Sequence, residues 1–231
     1  MKAKNMTKIS YKALKIVIIG QGSQVIELIR KMFSLEITPN NLKTLTVDRD
    51  SNTSFLQFLS YYNIDYNICD KTNFKTKAHS MLEGFEPDIV ISFSNPFIIC
   101  QEILNLKIKF INFHPGILPS YKGSLSTVHS LINNEKFVGG TWHYLDKGID
   151  TGNLIKVVKT PSEDFNAFTL NHKIFNLGIN CLKEIIDKVK ASHPGTEQEK
   201  TGKFYYSKFP DVSHLDLELQ KRILYFPPKF L

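Results

Sequence analysis

The chain has 231 residues, 42% of them hydrophobic, with a formal net charge of +7. That composition fits one folded domain with a small appendage, long enough to bury a core. It excludes a membrane-spanning helix, since no apolar run approaches the roughly 20 residues that cross a bilayer.

The opening M-K-A-K-N-M-T-K-I-S is basic but lacks the apolar centre of a secretory signal. Residues 1–13 read as a flexible basic lead. L-K-I-V-I-I-G then predicts a buried strand, and Val25, Leu28, Ile29 and Met32 follow at helical spacing. The turn between them, G-Q-G-S-Q-V, lacks the third glycine of a dinucleotide fingerprint, so it reads as a structural turn. L-K-T-L-T-V-D is a second strand, F-L-Q-F-L-S-Y-Y a helix with an aromatic face, and Y-N-I-C-D a third strand. F-K-T-K-A-H-S-M-L-E-G-F is a helix, and P-D-I-V-I-S-F-S a fourth strand buried on both faces. This alternation predicts a largely parallel α/β sheet. K-I-K-F-I-N-F-H is a fifth strand, S-T-V-H-S-L-I-N-N a helix, and V-G-G-T-W-H-Y-L-D and N-L-I-K-V-V-K-T two more strands. Apolar spacing predicts one long helix from Phe165 to Val189. Beyond a turn-rich break lies an aromatic, proline-bearing tail.

The lysines are spread along the chain, which fits a solvated surface and attraction to a small anion better than a nucleic-acid face. Cys69, Cys100 and Cys181 are scattered. They argue for neither a disulfide framework nor a metal site and fit a reducing cytoplasm.

Chemistry concentrates in Ile111–Gly152. Strand alternation puts Asn112 and His114 on one face and Ile111 and Phe113 on the other. Pro115 and Gly116 then end the strand. Asp150 follows in the glycine-flanked loop K-G-I-D-T-G. Carboxamide, imidazole and carboxylate form an acyl-transfer set: an N–H to hold an oxyanion, a ring to move a proton, an acid to orient the ring and favour its charged form. His129 and His143 read as structural, and Ser120 and Ser124 need not act.

The run N-F-H-P-G-I-L-P-S-Y-K-G, followed by G-G-T-W-H-Y-L-D-K-G-I-D-T-G, resembles the formyltransferases that use N10-formyltetrahydrofolate. The resemblance covers roughly Leu14 to Val189. It implies a Rossmann-like α/β core with a mostly parallel twisted sheet, spanning 14–192, and a short C-terminal extension, 193–231, expected to dimerise. It implies that Asn112, His114 and Asp150 are catalytic, and that formyl transfer to a neutral amine needs no protein nucleophile and no metal. It further implies that Phe97, Ile98 and Ile99 flank the folate, with Asp146 and Gly148 of the second loop beside it. Tyr121 and Lys122 are expected on the acceptor's side, Lys122 to neutralise a diphosphate.

Within that family, the tail and the loop T-W-H-Y-L-D-K-G-I-D-T-G are most similar to the sugar-nucleotide N-formyltransferases. The acceptor expected from this is a dTDP-linked 4-amino-4,6-dideoxy sugar, foremost dTDP-4-amino-4,6-dideoxyglucose, or its 3-amino relative, used for surface polysaccharide. Glycinamide ribonucleotide is a second acceptor to weigh. A tRNA acceptor would want a larger C-terminal domain than the 36 or so residues after Gly195. A non-catalytic nucleotide-sugar-binding protein is the alternative of another class, and the intact trio speaks against it.

Overall fold

A computed structural model describes residues 10–47, 53–163 and 165–224. Most of the expected basic lead, residues 1–9, lies outside the described residues, as does the end of the tail, 225–231. Of the remainder of the lead, Tyr11 is buried and its phenol donates to Asp187, so this part is packed rather than free.

The first strand, β1 (Ile16–Gly20), is buried along its whole length. Ile16 and Ile18 enter one apolar cluster, and Val17 and Ile19 enter another. Successive side chains leave a strand on opposite faces, so a continuously apolar strand must be covered on both. It runs parallel to β2 (Leu42–Thr46) on one side and β4 (Ile89–Phe93) on the other. The sheet is completed by β3 (Asp65–Ile68), β5 (Lys109–His114), β7 (Phe137–Tyr144) and β8 (Leu154–Pro161), in the order β3-β2-β1-β4-β5-β7-β8. From β3 to β5 the pairing is parallel; β7 and β8 turn antiparallel. This is the mostly parallel α/β sheet expected from the alternation of elements.

Helices cover both faces. The helix α1 (Ser23–Ser34) buries Val25, Leu28, Ile29 and Met32, the four residues picked out by spacing. With α2 (Thr53–Tyr61) it covers the face of Ile16 and Ile18. The opposite face is covered by α3 (Phe74–Phe85) and the short α4 (Gln101–Leu104). The strand β6 (Tyr121–Gly123) and helix α5 (Ser126–Ile132) lie between β5 and β7 in the chain.

The single long helix expected from Phe165 to Val189 is two helices, α6 (Ala167–Asn180) and α7 (Leu182–Lys190), parted at Cys181. The carbonyl of Gly178, which a continuing helix would offer to Leu182, takes Trp142 Nε1–H at 3.0 Å and Cys181 Sγ–H at 3.2 Å. These side-chain donors compete for the acceptor at the break. Apolar spacing continues through it, which is why periodicity alone joins the two helices.

The extension folds back on the same chain. Its strand β9 (Lys203–Tyr205) pairs with β6 in a second, two-stranded sheet. Its helix α8 (Leu217–Leu224) packs on α5 and α6, where Arg222 donates to the carbonyls of Ser162 at 2.6 Å and Phe165 at 3.1 Å. Among the described residues no helix is long and apolar enough to cross a membrane.

Candidate active site

Pairing in the sheet brings the trio together. On β5, Ile111 and Phe113 face the α1 and α6 side, where Phe113 packs with Phe93 and Trp142 at ring centroid distances of 5.4 and 5.2 Å. Aromatic pairs of this kind contribute about 0.5–1.5 kcal/mol each beyond area burial, so the strand is held firmly. Asn112 and His114 therefore project from the opposite face, at the strand's C-terminal end. The antiparallel register sets Asn112 against His143 of β7. The loop after β7 carries Asp150, whose φ of 54° is left-handed. That turn directs the carboxylate back toward β5.

The distances are specific. His114 Nδ1 lies 3.3 Å from Asp150 Oδ2. Its Nε2 lies 2.5 Å from the Tyr121 carbonyl and 3.0 Å from Ser126 Oγ. Asn112 Nδ2 lies 3.0 Å from His143 Nε2, and His143 Nδ1 is 2.8 Å from the Tyr144 carbonyl. The latter contact needs a proton on Nδ1, which leaves Nε2 to accept from the Asn112 amide. The same Nε2 is 3.5 Å from Asp150 Oδ1, while the Gly123 amide donates to Asp150 Oδ2 at 2.8 Å.

Burial decides the charge of His114. The ring is 4% exposed, and desolvation drives its pKa below the ordinary imidazole value even though Asp150 and the Tyr121 carbonyl pull it up. The carboxylate does favour the charged ring, as expected, but desolvation outweighs that attraction. For Asp150, burial pushes upward, but its contacts with His143 and His114 and the Gly123 N–H outweigh it and hold the acid below the usual range. At neutral pH the pair is a carboxylate beside a neutral ring.

These groups line a cleft of about 990 Å³, together with Phe97, Ile98, Ile99, Asp146 and Gly148. Asn95 shapes the first loop: its Oδ1 accepts from Phe97 N at 2.8 Å and its Nδ2 donates to the Phe97 carbonyl at 2.9 Å. Phe97 stacks on Phe74 of α3, while Ile98 stands 78% exposed. Asp146 Oδ1 accepts from Gly148 N at 3.0 Å and from Thr151 Oγ1 at 2.6 Å, so one oxygen of this acid holds the turn of its own loop.

Tyr121 and Lys122 are not on the cleft wall. The Tyr121 ring is buried with its hydroxyl on Glu135 at 2.7 Å, and Lys122 Nζ reaches the Thr201 carbonyl at 3.4 Å. It is the Tyr121 backbone, not its ring, that meets His114. The acceptor contacts expected at these two side chains gain no support from the cleft's lining.

His143 and Ser126 are the residues that sequence reasoning missed. Both are buried at the heart of the cluster. Alternation along G-G-T-W-H-Y puts His143 opposite Trp142, but only the register with β5 shows that it meets Asn112. His129, by contrast, stacks on Tyr205 at 4.0 Å, away from the trio.

The formyl transferase pattern matches residues 14–186. The chain belongs to the formyl transferase family. A GDP-perosamine N-formyltransferase of Brucella melitensis is 29% identical over 154 residues, covering 63% of this chain and 60% of that protein. A methionyl-tRNA formyltransferase of Caldanaerobacter subterraneus is 33% identical over 139 residues, covering 58% of this chain and 45% of that one. The matched part of this family member therefore spans less than two thirds of either relative. Among solved structures, the N-formyltransferase from Helicobacter canadensis in complex with folinic acid and dTDP-3-aminofucose superposes with a TM-score of 0.69 at 21% identity, over 87% of this chain and 74% of that one. At that identity the likeness is one of fold.

Proposed function

We propose that this formyl transferase family member moves a formyl group from N10-formyltetrahydrofolate to the amine of a nucleotide-linked amino sugar. The observation that carries the reading is the Asn112–His114–Asp150 cluster on the wall of a cleft lined by Phe97, Ile98, Ile99 and Gly148. A volume near 990 Å³ is at the upper end of what a single small ligand occupies, roughly 300–1,000 Å³. The apolar loop Phe97–Ile99 suits a flat heteroaromatic ring, and the peptide groups around Gly148 suit its polar edge, so the residues fit the folate.

The folate supplies the activated formyl carbon. Asn112 spends one N–H on His143 and has a second for the oxygen that gains negative charge as the amine adds. His114 Nδ1 faces Asp150 and Nε2 faces the Tyr121 carbonyl and Ser126, so the ring takes the amine's proton by giving up one of these contacts, and Asp150 stabilises the cation so formed. His143 orients the amide and Asp150 the ring before the amine adds.

The relatives that favour this class differ in nucleotide, GDP in one printed name and dTDP in another. The finer reading is dTDP-4-amino-4,6-dideoxyglucose as acceptor, in surface-polysaccharide synthesis in the cytoplasm, by a homodimer; light scattering checks the last point. The activity is tested with purified protein, formyltetrahydrofolate and a panel of dTDP-, UDP- and GDP-linked amino sugars, with glycinamide ribonucleotide and methionyl-tRNA alongside. Formylation of a nucleotide sugar, lost in Asn112→Ala and His114→Asn, supports the reading. Turnover of only the other two acceptors replaces it.

A further inference from the structure

The family's matched region ends at residue 186, yet the two loops of the site are fastened by residues beyond it. Thr196 pairs with Leu154 in an antiparallel bridge, N–H to carbonyl at 2.7 and 2.8 Å. Two residues on, Gln198 Nε2 donates to the carbonyl of Asp150 at 3.0 Å and to that of Gly152 at 2.7 Å. The chain then presses on the other loop. Lys203 N donates to the Ser120 carbonyl at 3.2 Å, β9 runs along β6, and Ser124 N donates to the Tyr205 carbonyl at 2.9 Å. What β6 presents inward are the Tyr121 carbonyl against His114 and the Gly123 N–H against Asp150.

We propose that the segment 196–205 is a strap that positions the reacting groups, and that Gln198 is its positioning residue for Asp150. Two carbonyls of the Asp150–Gly152 turn converge on a single amide nitrogen. Asp150 occupies a left-handed conformation that a non-glycine residue adopts at a cost, and which persists when its surroundings over-determine it. Gln198 is the side chain that ties that turn from outside the loop. Relaxing the turn would swing the carboxylate away from His114 Nδ1 and His143 Nε2 together, since both contacts are made by its two oxygens. Gln198 touches neither ring; it acts through Asp150. The inference rests on reading Asn112, His114 and Asp150 as the reacting groups.

The test uses the full chain with Gln198→Met, which keeps the side chain's length and removes both N–H donors. Among the described residues, the titratable groups facing His114 are Asp150 from the loop and His143 from β7; β6 and α5 present the Tyr121 carbonyl and the Ser126 hydroxyl. NMR titration of the His114 ring, in protein without substrates, should therefore shift to lower pH in the variant, because the group that favours its cation has moved off. The kcat for formyl transfer should fall about tenfold, the equivalent of one charge-linked hydrogen bond. The KM of the folate donor should stay as in wild type, and the melting temperature should fall by only a few degrees, so that the variant is fully folded at the assay temperature. An unmoved His114 titration overturns the proposal whether or not an acceptor is known, and so does a kcat loss that merely tracks a lower Tm. A wild-type protein that formylates nothing instead removes the reading of function, and the titration still decides this one.

Discussion

The amide of Asn112 and the Nε2 of His143 face each other at 3.0 Å across the antiparallel pair β5–β7. This contact joins a residue of the recognised trio to one that reads from sequence as structural. His143 also lies 3.5 Å from Asp150, so it links Asn112 to the acid. His143→Leu should keep the fold, because the neighbouring Trp142 rather than His143 fills the aromatic cluster. It should lower kcat about 10- to 100-fold through a misplaced amide and an acid with one partner fewer. Steady-state kinetics with folate KM measured in parallel checks it; wild-type turnover would return His143 to a purely structural role.

Acid should destabilise the protein through its buried histidines. The His114 pKa is lowered by desolvation, so the unfolded chain binds more protons than the folded one as pH falls toward and below the ordinary value of 6.5. Stability from this group is complete above that value and is lost as pH drops. His129 and His172 are lowered by burial as well and add the same sign. The Asp150 contribution is present above 3.8 and lost only below it. Melting temperature should decline from pH 7 to pH 5, and His114→Asn should flatten the decline. A parallel decline in the variant would show that other groups carry it.

Gly178 is held small by Phe113. A Cβ added there would meet the Phe113 ring at 2.4 Å, and that ring is buried. Helix propensity favours alanine over glycine by about 1 kcal/mol. Overpacking of a tight core typically costs about 1–3 kcal/mol, and here the obstacle is a caged ring on β5. Overlap should win: Gly178→Ala is expected to destabilise by about 1 kcal/mol or more in urea unfolding. A net stabilisation would show that the ring can yield.

Lys122→Ala should leave both KM values and kcat near wild type. The lysine binds the Thr201 carbonyl and stands off the cleft. A lost exposed contact of this kind costs a few tenths of a kcal/mol at most. A raised KM confined to the nucleotide sugar would restore the acceptor role that sequence position suggests.

Much of the fold was legible in the chain itself. Short continuous apolar runs such as I-V-I-I and the helical spacing of Val25, Leu28, Ile29 and Met32 are local consequences of backbone geometry, and they carry to the structure. Strand alternation likewise placed Asn112 and His114 on one face before any tertiary contact was known. The linked loops of the trio identified the family for the same reason: their chemistry is written in adjacent residues.

Tertiary structure alone decided the rest, because it depends on which distant segments meet. Register between β5 and β7 brought His143 to Asn112. Burial set the charge of His114 against its acidic neighbour. A Trp142 side chain competed for a helix carbonyl and split the long helix at Cys181. Packing of β6 against the tail engaged Tyr121 with Glu135 and Lys122 with Thr201 and left the Tyr121 carbonyl on the His114 ring. None of these contacts leaves a periodic or compositional trace, since each joins residues through space rather than along the chain.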